Sequence, residues 1–458
     1  MQISFDPSIK VAGISIVPWN RIGLEKWFPE YKIASLYSWD IDPHAKNPEL
    51  LSLSDRGNMP AMNRLNTSEL LKADVFQRLL EEELPGYALL TYKTVPIPVA
   101  LQQRKFLMAN ESISSQYENK AEFRRMFAGK IPIPEFAIYE RAELTLNEAG
   151  YHSVLCGRNA VVMQDEQLSG GRGTFIVKSH EDYVAAVKTL NKRSTHHRVV
   201  ISTLIEGARE RSIQCCVTRY GVFTGPLQRQ IVRHPLLAHA QADGDQYCGV
   251  QICAADQMTP IHTEAQRIAQ RIGEEYQAAG YKGIFGVDYL LDAHDTLYAI
   301  EVNPRITGVT PLLTSLYSAE TSIPFYLLHV LELGDYTYEI PDKSFEFSEE
   351  GAMLVVHSLE SQPVIVESLP KSGTYRLENG ALSRVTDSVA LEDTKPGEWV
   401  VREYSVKGMV VKPGGRLLAV QTRELIVDKS NDKLYDETVT LIQTLRKHIE
   451  TRKIGLWQ

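Results

Sequence analysis

The chain has 458 residues, 43% of them hydrophobic and 23% charged, and its formal net charge of −8 excludes an extended basic surface for nucleic acid. Its length predicts about three domains, and no apolar run reaches the roughly 18 residues of a membrane span. The chain start lacks the basic stretch of a signal peptide and the five cysteines form no C-x-x-C pair, so we predict a cytoplasmic protein with neither a disulfide framework nor a cysteine-based zinc site.

Residues 1–118 alternate short apolar runs with polar or helical stretches such as Ser68–Glu83. The apolar runs are Val11–Val17, Ile33–Leu36, Tyr87–Tyr92 and Phe106–Met108. Strands that alternate with helices predict an α/β domain, here a Rossmann-like one with parallel strands. No G-x-G-x-x-G fingerprint follows Gly13, so this prediction concerns the fold and not a dinucleotide site.

A second domain is predicted over residues 119–345. Its predicted helices and strands are, in chain order, Lys120–Ala128, Ala160–Gln164, Phe175–Lys178 and Ile261–Ala279. Each of the two helices is followed by a glycine, Gly129 or Gly280, which is a common way for a helix to end. The polar and acidic stretch Asp335–Glu350 marks the predicted end of this domain.

The third predicted domain, residues 346–458, is expected to be rich in β-strands. Its short apolar runs are separated by Gly and Pro turns, of which Asn379-Gly380 indicates a tight hairpin and Pro413-Gly414-Gly415 a second turn. The chain is expected to close with a helix through Leu441, Leu445 and Ile449, which recur at helical spacing.

An acidic hairpin at residues 283–308 is the most informative part of the sequence. Two apolar runs flank a short polar turn, and a turn symmetric about residues 294–295 places Asp288 opposite Glu301 and Leu290 opposite Ala299. Opposed Cβ atoms lie about 4.5–5.5 Å apart, so two carboxylates there repel by about 3 kcal/mol at an effective dielectric constant near 20. A magnesium ion that also binds phosphate oxygens would offset this repulsion.

The strand period places further groups on the same face. Glu301, Asn303 and Arg305 are two residues apart, so a carboxylate, an amide carbonyl and a guanidinium group project together. This combination suits metal-bridged phosphates, with the arginine stabilising charge on a phosphoryl group in transfer. The alternative is an exposed hairpin edge whose charges are simply solvated.

A glycine-rich segment lies between the two predicted strands of the second domain. Its residues are Ser169, Gly170, Gly171, Arg172, Gly173 and Thr174. Glycines permit close backbone approach, so successive N–H groups can hold an anion, although the pattern is not that of a P-loop. A purely structural hairpin is the alternative, and the acidic hairpin downstream favours phosphate binding.

Together these segments resemble the ATP-grasp superfamily, which includes carboxylate–amine ligases and biotin-carboxylase-like enzymes. The resemblance is strongest over residues 119–320, and most specific at Gly286-Val287-Asp288 and in the stretch from Ile300 to Gly308. It implies that the chain binds ATP with Mg²⁺, for which Mn²⁺ can substitute. It further implies that Asp288, Glu301 and Asn303 are metal ligands and that Arg305 is the catalytic arginine.

The resemblance also assigns the nucleotide contacts. Lys120 would contact the phosphates, residues 169–174 would form the mobile glycine loop, Thr203 and Ile205 would offer main-chain groups to the adenine, and Glu210, after a one-residue insertion, would bind the ribose. The sequence departs from the family at Gln164, where a lysine or arginine is usual, and at Ser202, where many members have an acid. An amide brings no charge to the phosphates, so Gln164 implies weaker ATP binding unless Arg172 compensates.

On the substrate side, Arg229 and Arg233 are four residues apart and would share one face of an extended segment. Two guanidinium groups on one face could bind a substrate carboxylate or phosphate. Structural salt bridges are the alternative for both.

The resemblance therefore predicts an ADP-forming carboxylate–amine ligase of amino-acid or peptide type that acts through an acyl phosphate. Its partners would be a small-molecule carboxylate and amine, with no nucleic acid and no membrane, and a homodimer is expected by analogy. Two alternatives remain open: a carboxylase that uses bicarbonate, and a non-catalytic Mg-ATP sensor, which the departure at Gln164 favours.

Overall fold

The computed structural model describes residues 3–41, 48–62, 64–168, 171, 173–193, 195–239, 246–317, 324–340 and 347–454. Within these ranges no helix combines the length and the apolar composition needed to cross a membrane.

The N-terminal region is an α/β layer. Its elements are, in chain order, β1 (Ser4–Phe5), β2 (Val11–Ser15), β3 (Lys32–Ser35), β4 (Glu49–Ser52), α1 (Thr67–Lys72), α2 (Asp74–Glu83), β5 (Ala88–Leu90), β6 (Phe106–Leu107) and α3 (Glu111–Glu118). Among the described residues β2 to β6 form a parallel sheet in the order β4-β3-β2-β5-β6. This order is typical of doubly wound folds, and the predicted Rossmann-like fold is confirmed.

Two details of this layer differ from the prediction. The strand β4 was not predicted, because none of the apolar runs identified in the sequence covers it. The helical stretch Ser68–Glu83 is divided at Ala73, whose ψ of 120° is extended, so α1 ends there and α2 begins.

The central region contains a small antiparallel sheet and half of the strands of a large one. Its elements are α4 (Lys120–Phe127), β7 (Phe136–Glu140), α5 (Glu148–Leu155), β8 (Val161–Asp165), β9 (Thr174–Val177), α6 (His180–Arg193), β10 (Arg198–Thr203), β11 (Arg209–Thr218), β12 (Gly221–Val232), β13 (Tyr247–Ile252), α7 (Pro260–Ala278), β14 (Gly283–Leu291), β15 (Leu297–Asn303), α8 (Thr310–Leu316), α9 (Phe325–Leu333) and β16 (Tyr338–Glu339). The small sheet has the order β7-β10-β8-β9. As predicted, left-handed glycines follow α4 and α7, with φ of 73° at Gly129 and 86° at Gly280.

The C-terminal region is rich in strands. Its elements are β17 (Gly351–His357), β18 (Val364–Ser368), β19 (Gly373–Glu378), β20 (Ala381–Thr386), β21 (Glu398–Glu403), β22 (Val410–Val411), β23 (Arg416–Thr422), α10 (Asp436–Lys447) and β24 (Glu450–Lys453). The predicted hairpin at Asn379-Gly380 joins β19 to β20, and both turn residues have positive φ. Short 3-10 helices lie at Pro18–Arg21, Leu24–Lys26, Val99–Leu101, Arg141–Glu143, Ala254–Met258 and Leu391–Asp393.

One continuous sheet joins the central and C-terminal regions. In the described part of the chain its order is β15-β14-β11-β12-β13-β17-β23-β21-β19-β20. The antiparallel pairing of β13 with β17 joins strands on the two sides of the predicted boundary near residue 345. The domain boundaries near residues 118 and 345 stay predictions.

The predicted closing helix is partly wrong. The helix α10 ends at Lys447, so Ile449 lies beyond it, and the chain then turns into β24. The reason is a strand partner distant in sequence, because β24 pairs with β18.

Candidate active site

The acidic hairpin forms as predicted at its centre. The strands β14 and β15 are antiparallel, and Asp288 lies opposite Glu301. The predicted pairing of Leu290 with Ala299 is wrong, because a bulge at Ile300 shifts the register and places Tyr289 opposite Ala299. The buried Arg124 of α4 donates a hydrogen bond of 2.6 Å to the Ile300 carbonyl, which satisfies a carbonyl at the bulge.

The two acids have different surroundings. Burial and the nearby Glu301 carboxylate raise the pKa of Asp288 to about 7. Burial also opposes ionisation of Glu301, but the charges of Lys120 and Arg305 outweigh it and lower the pKa of Glu301. The Lys120 ammonium lies 3.5 Å from a Glu301 oxygen. A divalent cation between the acids would favour the charged form of both.

Asp288 is held by two amides. Gln230 Nε2 donates to Asp288 Oδ1 at 2.7 Å, and Asn303 Nδ2 donates to Asp288 Oδ2 at 2.8 Å. In the described part of the chain no group of three or more His, Cys, Asp or Glu could hold a metal ion. Mg²⁺ prefers oxygen ligands and is usually bound by only one or two carboxylates. The two carboxylates and the Asn303 carbonyl fit a magnesium ion that takes its remaining ligands from phosphate oxygens and water.

Arg305 connects this site to the N-terminal sheet. Its guanidinium group donates to Asn303 Oδ1 at 2.6 Å and to the Tyr92 hydroxyl at 2.9 Å, and Glu118 lies 3.6 Å from its Nε. The guanidinium carbon is 5.4 Å from the centre of the Tyr92 ring, a cation–π distance. Tyr92 follows β5 at the carboxyl edge of the parallel sheet, close to the point where the strand order reverses, which is the usual ligand edge of such sheets.

Sequence analysis missed the part played by Tyr92. It lies at the end of an apolar run that was assigned to a parallel strand, and residues that follow such strands are candidates for ligand contact. The contact with Arg305 spans more than 200 residues, so no local pattern could indicate it.

Lys120 is fixed at the start of α4. Asn119 caps the helix by accepting hydrogen bonds from the Ala121 and Glu122 N–H groups. The Lys120 side chain is 5% exposed overall and its ammonium donates to the Leu168 carbonyl at 2.9 Å, directly before the glycine segment. Lys120 therefore bridges the glycine segment and the acidic hairpin.

The glycine segment is described only in part, because Ser169, Gly170 and Arg172 lie outside the described residues. Gly171 has a φ of 76°, which favours glycine, and the Thr174 N–H donates to its carbonyl at 3.2 Å. A Cβ atom on Gly171 would lie 3.1 Å from Cγ of Gln246, directly before β13. A Cβ atom on Gly173 would lie within 3 Å of Asp165 and Leu168, so Gly173 packs tightly against the residues that precede the segment.

Gln164 and Ser202 lie on one face of the small sheet. Their neighbours Met163 and Ile201 point to the opposite face, into the core formed with α5 and α6. Gln164 Nε2 donates to the Thr174 hydroxyl at 3.3 Å, and the buried hydroxyl of Ser202 has no hydrogen-bond partner among the described residues. At these two positions the face therefore presents polar groups without a charge.

The remaining predicted nucleotide residues lie near the junction of the two sheets. Thr203 ends β10, where its N–H donates to the Glu135 carbonyl at 2.9 Å, and Ile205 follows in the connection to β11. Glu210 is half-buried in β11 opposite Leu290, and burial raises the pKa of its carboxyl.

The prediction that Arg229 and Arg233 share a strand face is wrong. Arg233 has a φ of 55° and follows the last residue of β12, so the strand period does not extend to it. Arg229 makes two hydrogen bonds with Asp256, at 2.6 and 2.8 Å, and a third with Asp432 at 2.6 Å. It lies on the face of the sheet opposite to Gln230, with its guanidinium group bound in these ion pairs, whereas Arg233 is exposed. The substrate role of both arginines stays a prediction.

The residues that face the acidic hairpin from β11 and β12 were missed. They are the even-numbered residues Ser212, Gln214, Gln228 and Gln230. Ser212 donates to Gln228 at 2.9 Å, and Gln214 donates to the hydroxyls of Thr307 and Thr310, which follow the end of β15. Strand alternation would have identified them once one residue of the sheet had been placed on the site face.

Comparison with known proteins supports the resemblance. Residues 117–309 match the family model of the ATP-grasp domain. No curated protein matches the chain. Among solved structures, the chain is similar to the biotin carboxylase domain of Hydrogenobacter thermophilus 2-oxoglutarate carboxylase, with a TM-score of 0.62 and 13% identity over 97% of this chain and 91% of that one.

Two further solved structures are similar over nearly the whole chain. For Campylobacter jejuni biotin carboxylase the TM-score is 0.63 and the identity 12%, over 97% of this chain and 92% of that one. For carboxyaminoimidazole ribonucleotide synthase of Aspergillus clavatus the TM-score is 0.54 and the identity 16%, over 96% of this chain and 98% of that one. At these identities the likeness shows a shared fold.

Proposed function

We propose that this chain, whose residues 117–309 match the family model of the ATP-grasp domain, is an ADP-forming carboxylate–amine ligase. The observation that carries the proposal is the placement of Asp288 directly opposite Glu301, with Lys120 and Arg305 beside them. Two acids and the Asn303 amide supply oxygen ligands for a metal ion, and the two cations supply contacts for phosphates.

In the proposed site Asp288, Glu301 and Asn303 would hold Mg²⁺, for which Mn²⁺ can substitute. Such an ion would supply positive charge to the phosphate oxygens of the nucleotide. Lys120 contacts the phosphates after it releases the Leu168 carbonyl, and the glycine segment, residues 169–174, covers them.

The remaining nucleotide contacts are those that the resemblance implies. Thr203 and Ile205 offer main-chain groups to the adenine. The Ser202 hydroxyl, which has no hydrogen-bond partner among the described residues, lies close to the same strand end. Glu210 binds the ribose, and Gln164 offers its amide to a phosphate. Because Gln164 carries no charge, Lys120 supplies a larger share of the positive charge near the phosphates than it would with a lysine at position 164.

The first chemical step is transfer of the γ-phosphoryl group to a carboxylate oxygen of the acid substrate. A P–O bond to that oxygen forms, the bond between the γ-phosphorus and the oxygen bridging it to the β-phosphate breaks, and ADP leaves with the electron pair. Arg305 stabilises the charge on the phosphoryl group, and Tyr92 fixes the guanidinium group in place by a hydrogen bond and by its ring.

In the second step the amine nitrogen attacks the acyl carbon. A C–N bond forms, the C–O bond to the phosphate breaks, and inorganic phosphate leaves while the amine loses a proton to solvent. The exposed Arg233, beyond the end of β12, is the remaining candidate to bind a substrate carboxylate.

Bicarbonate is the second candidate for the acid substrate. The likeness to biotin carboxylases over 97% of this chain favours it. Such a carboxylase would form carboxyphosphate and transfer the carboxyl group to an acceptor. A Mg-ATP sensor without turnover remains the third candidate, because Gln164 reduces the charge around the phosphates. A homodimer is expected by analogy, and sedimentation of the purified chain would test it.

The test is release of ADP and phosphate from Mg-ATP with pooled carboxylic acids, pooled amines, bicarbonate or combinations of them. ADP release that needs both an acid and an amine supports the ligase, whereas release with bicarbonate and no organic acid supports the carboxylase. ATP binding without any stimulated release favours the sensor, and AMP with pyrophosphate as products contradicts the acyl-phosphate mechanism.

Replacing Glu301 tests the metal assignment. Glu301→Gln keeps the size of the side chain but removes the charge that balances Lys120 and binds the metal ion. We expect turnover to fall by at least about 100-fold while thermal unfolding shows a folded protein. The matched control is Glu339→Gln, an exposed acid in β16. Turnover close to that of the unmodified chain would remove Glu301 from the site.

A further inference from the structure

Gln230 lies outside every motif used above, yet it touches a predicted metal ligand. It is a half-buried residue of β12, and its Nε2 donates to Asp288 Oδ1 at 2.7 Å. In the sheet order β14-β11-β12 the strand β11 separates the two residues, so Gln230 reaches across a whole strand. The residue of β11 opposite Asp288 is the small Ser212, which leaves room for this reach.

The neighbouring amide on the same face makes a different contact. Gln228 lies opposite Ser212 and accepts a hydrogen bond from the Ser212 hydroxyl at 2.9 Å. Its side chain is therefore bonded to the neighbour of Asp288 and not to Asp288 itself. Gln228 and Gln230 share a residue type, a strand and a face. The comparison between them isolates the bond to Asp288.

The second amide at Asp288 cannot keep its present contact when a metal binds. Asn303 donates to Asp288 through Nδ2 and accepts from Arg305 through Oδ1. An asparagine binds Mg²⁺ through its carbonyl oxygen, so Asn303 must turn that oxygen toward the metal. Gln230 can keep its bond to Asp288 throughout, because it donates through an amide nitrogen and has no predicted metal contact.

We propose that Gln230 is a positioning residue that orients the Asp288 carboxylate for metal binding. The proposal rests on the proposed role of Asp288 as a magnesium ligand. The hydrogen bond restrains Oδ1 and thereby directs Oδ2 and its lone pairs toward Glu301 and Asn303. Hydrogen-bond partners of metal ligands are known to act in this way, and their loss costs about 10- to 100-fold in metal affinity.

The experiment measures Mn²⁺ binding to the full chain at saturating ADP by electron paramagnetic resonance. Gln230→Met keeps the length of the side chain but cannot donate, and Gln230→Asn keeps the amide but is too short to reach Asp288. We expect both variants to bind Mn²⁺ about 10-fold or more weakly. Gln228→Met should bind Mn²⁺ as the unmodified chain does, and ADP affinity without metal should be unchanged in the Gln230 variants.

The outcomes separate this inference from the proposed function. If the unmodified chain with ADP binds no Mn²⁺, the magnesium site is wrong and this proposal fails with it. If the unmodified chain binds Mn²⁺ and both Gln230 variants bind it equally well, only the positioning role is overturned. An equal loss in Gln228→Met, or an equal loss of metal-free ADP affinity, also overturns it, because the effect would then be structural.

Discussion

At the scale of single residues, the site depends on how each charge is compensated. Lys120 lies between the Leu168 carbonyl and Glu301, and Arg305 lies between Asn303 and Tyr92. Both cations are therefore held in place by fixed partners before a nucleotide binds. Preorganisation of this kind lowers the cost of bringing charged groups together when the nucleotide binds.

Gln164 gives a prediction at this scale. Its side chain lies beside Thr174 and the residue is 8% exposed. The resemblance predicts a basic residue at position 164. Gln164→Lys places an ammonium group there, and a charged hydrogen bond to phosphate is worth about 1 kcal/mol more than a neutral one, or roughly a fivefold lower Kd for ATP. Isothermal titration calorimetry at fixed Mg²⁺ measures this change.

The control for Gln164→Lys is Gln102→Lys, which adds the same charge at an exposed position of the N-terminal region. It should leave the ATP affinity unchanged. Weaker ATP binding in Gln164→Lys would contradict the prediction and would mean that the residue does not face the phosphates.

At the scale of elements, the bulge at Ile300 sets the register of the acidic hairpin on its turn side. Without it, the hairpin would keep the symmetric register in which Leu290 opposes Ala299. The bulge leaves Asp288 opposite Glu301 but moves every residue on the turn side by one place. Hydrogen bonding of the Ile300 carbonyl to Arg124 ties the bulge to α4, the helix that also carries Lys120.

The junction of β13 with β17 gives a prediction at the scale of elements. Gly249 pairs with Leu354 at this junction, and its φ is 148°. A Cβ atom there would lie 2.2 Å from the Met353 carbonyl oxygen, closer than any real contact. Gly249→Ala should therefore force the two strands apart and lower the free energy of unfolding by about 1–3 kcal/mol.

Denaturant unfolding followed by circular dichroism measures this loss. Gly380→Ala is the control, since Gly380 has a φ of 75° but no atom within 4 Å of the added methyl group. It should cost about 1 kcal/mol from the backbone conformation alone. An equal or smaller loss in Gly249→Ala would contradict the close contact.

At the scale of the whole molecule, the C-terminal region is bound to the central sheet by more than strand pairing. Asp432, from the segment before α10, lies 2.8 Å from Arg211 of β11 and 2.6 Å from Arg229 of β12. Both arginines are buried, and Arg229 also binds Asp256. This network lies on the face of the sheet opposite to Gln230, so it supports the site from behind.

Asp432→Asn should reveal how strongly this network is coupled to folding. Asparagine keeps the shape of the side chain and tolerates the left-handed backbone at this position, where φ is 56°. Removing one charge from a buried ion pair typically costs about 3–5 kcal/mol, because the remaining charge is left without its partner. Arg229 keeps Asp256, so we expect a loss near 3 kcal/mol in the free energy of unfolding.

Urea unfolding measures this loss, with Asp428→Asn as the control in the same segment. Asp428 accepts hydrogen bonds within its own turn, from Ser430, and asparagine can still accept them. A loss below about 1 kcal/mol in Asp432→Asn would show that solvent screens the pair despite its burial.

Features that depend on neighbouring residues could be predicted from the amino-acid sequence. The helix ends at Gly129 and Gly280, the hairpin at Asn379-Gly380 and the pairing of Asp288 with Glu301 were all predicted correctly. They follow from turn chemistry and from the periods of helix and strand, which act over a few residues. The metal and nucleotide roles of the site residues stay predictions.

Which face of a strand lies toward the site could not be predicted from the sequence and is set by tertiary packing. Arg229 and Gln230 are adjacent, and sequence analysis selected the arginine, although the glutamine contacts Asp288. It also could not find the contact of Tyr92 with Arg305 or the pairing of β13 with β17. Strand alternation gives two faces but does not say which is buried, because that choice depends on packing between segments far apart in the chain.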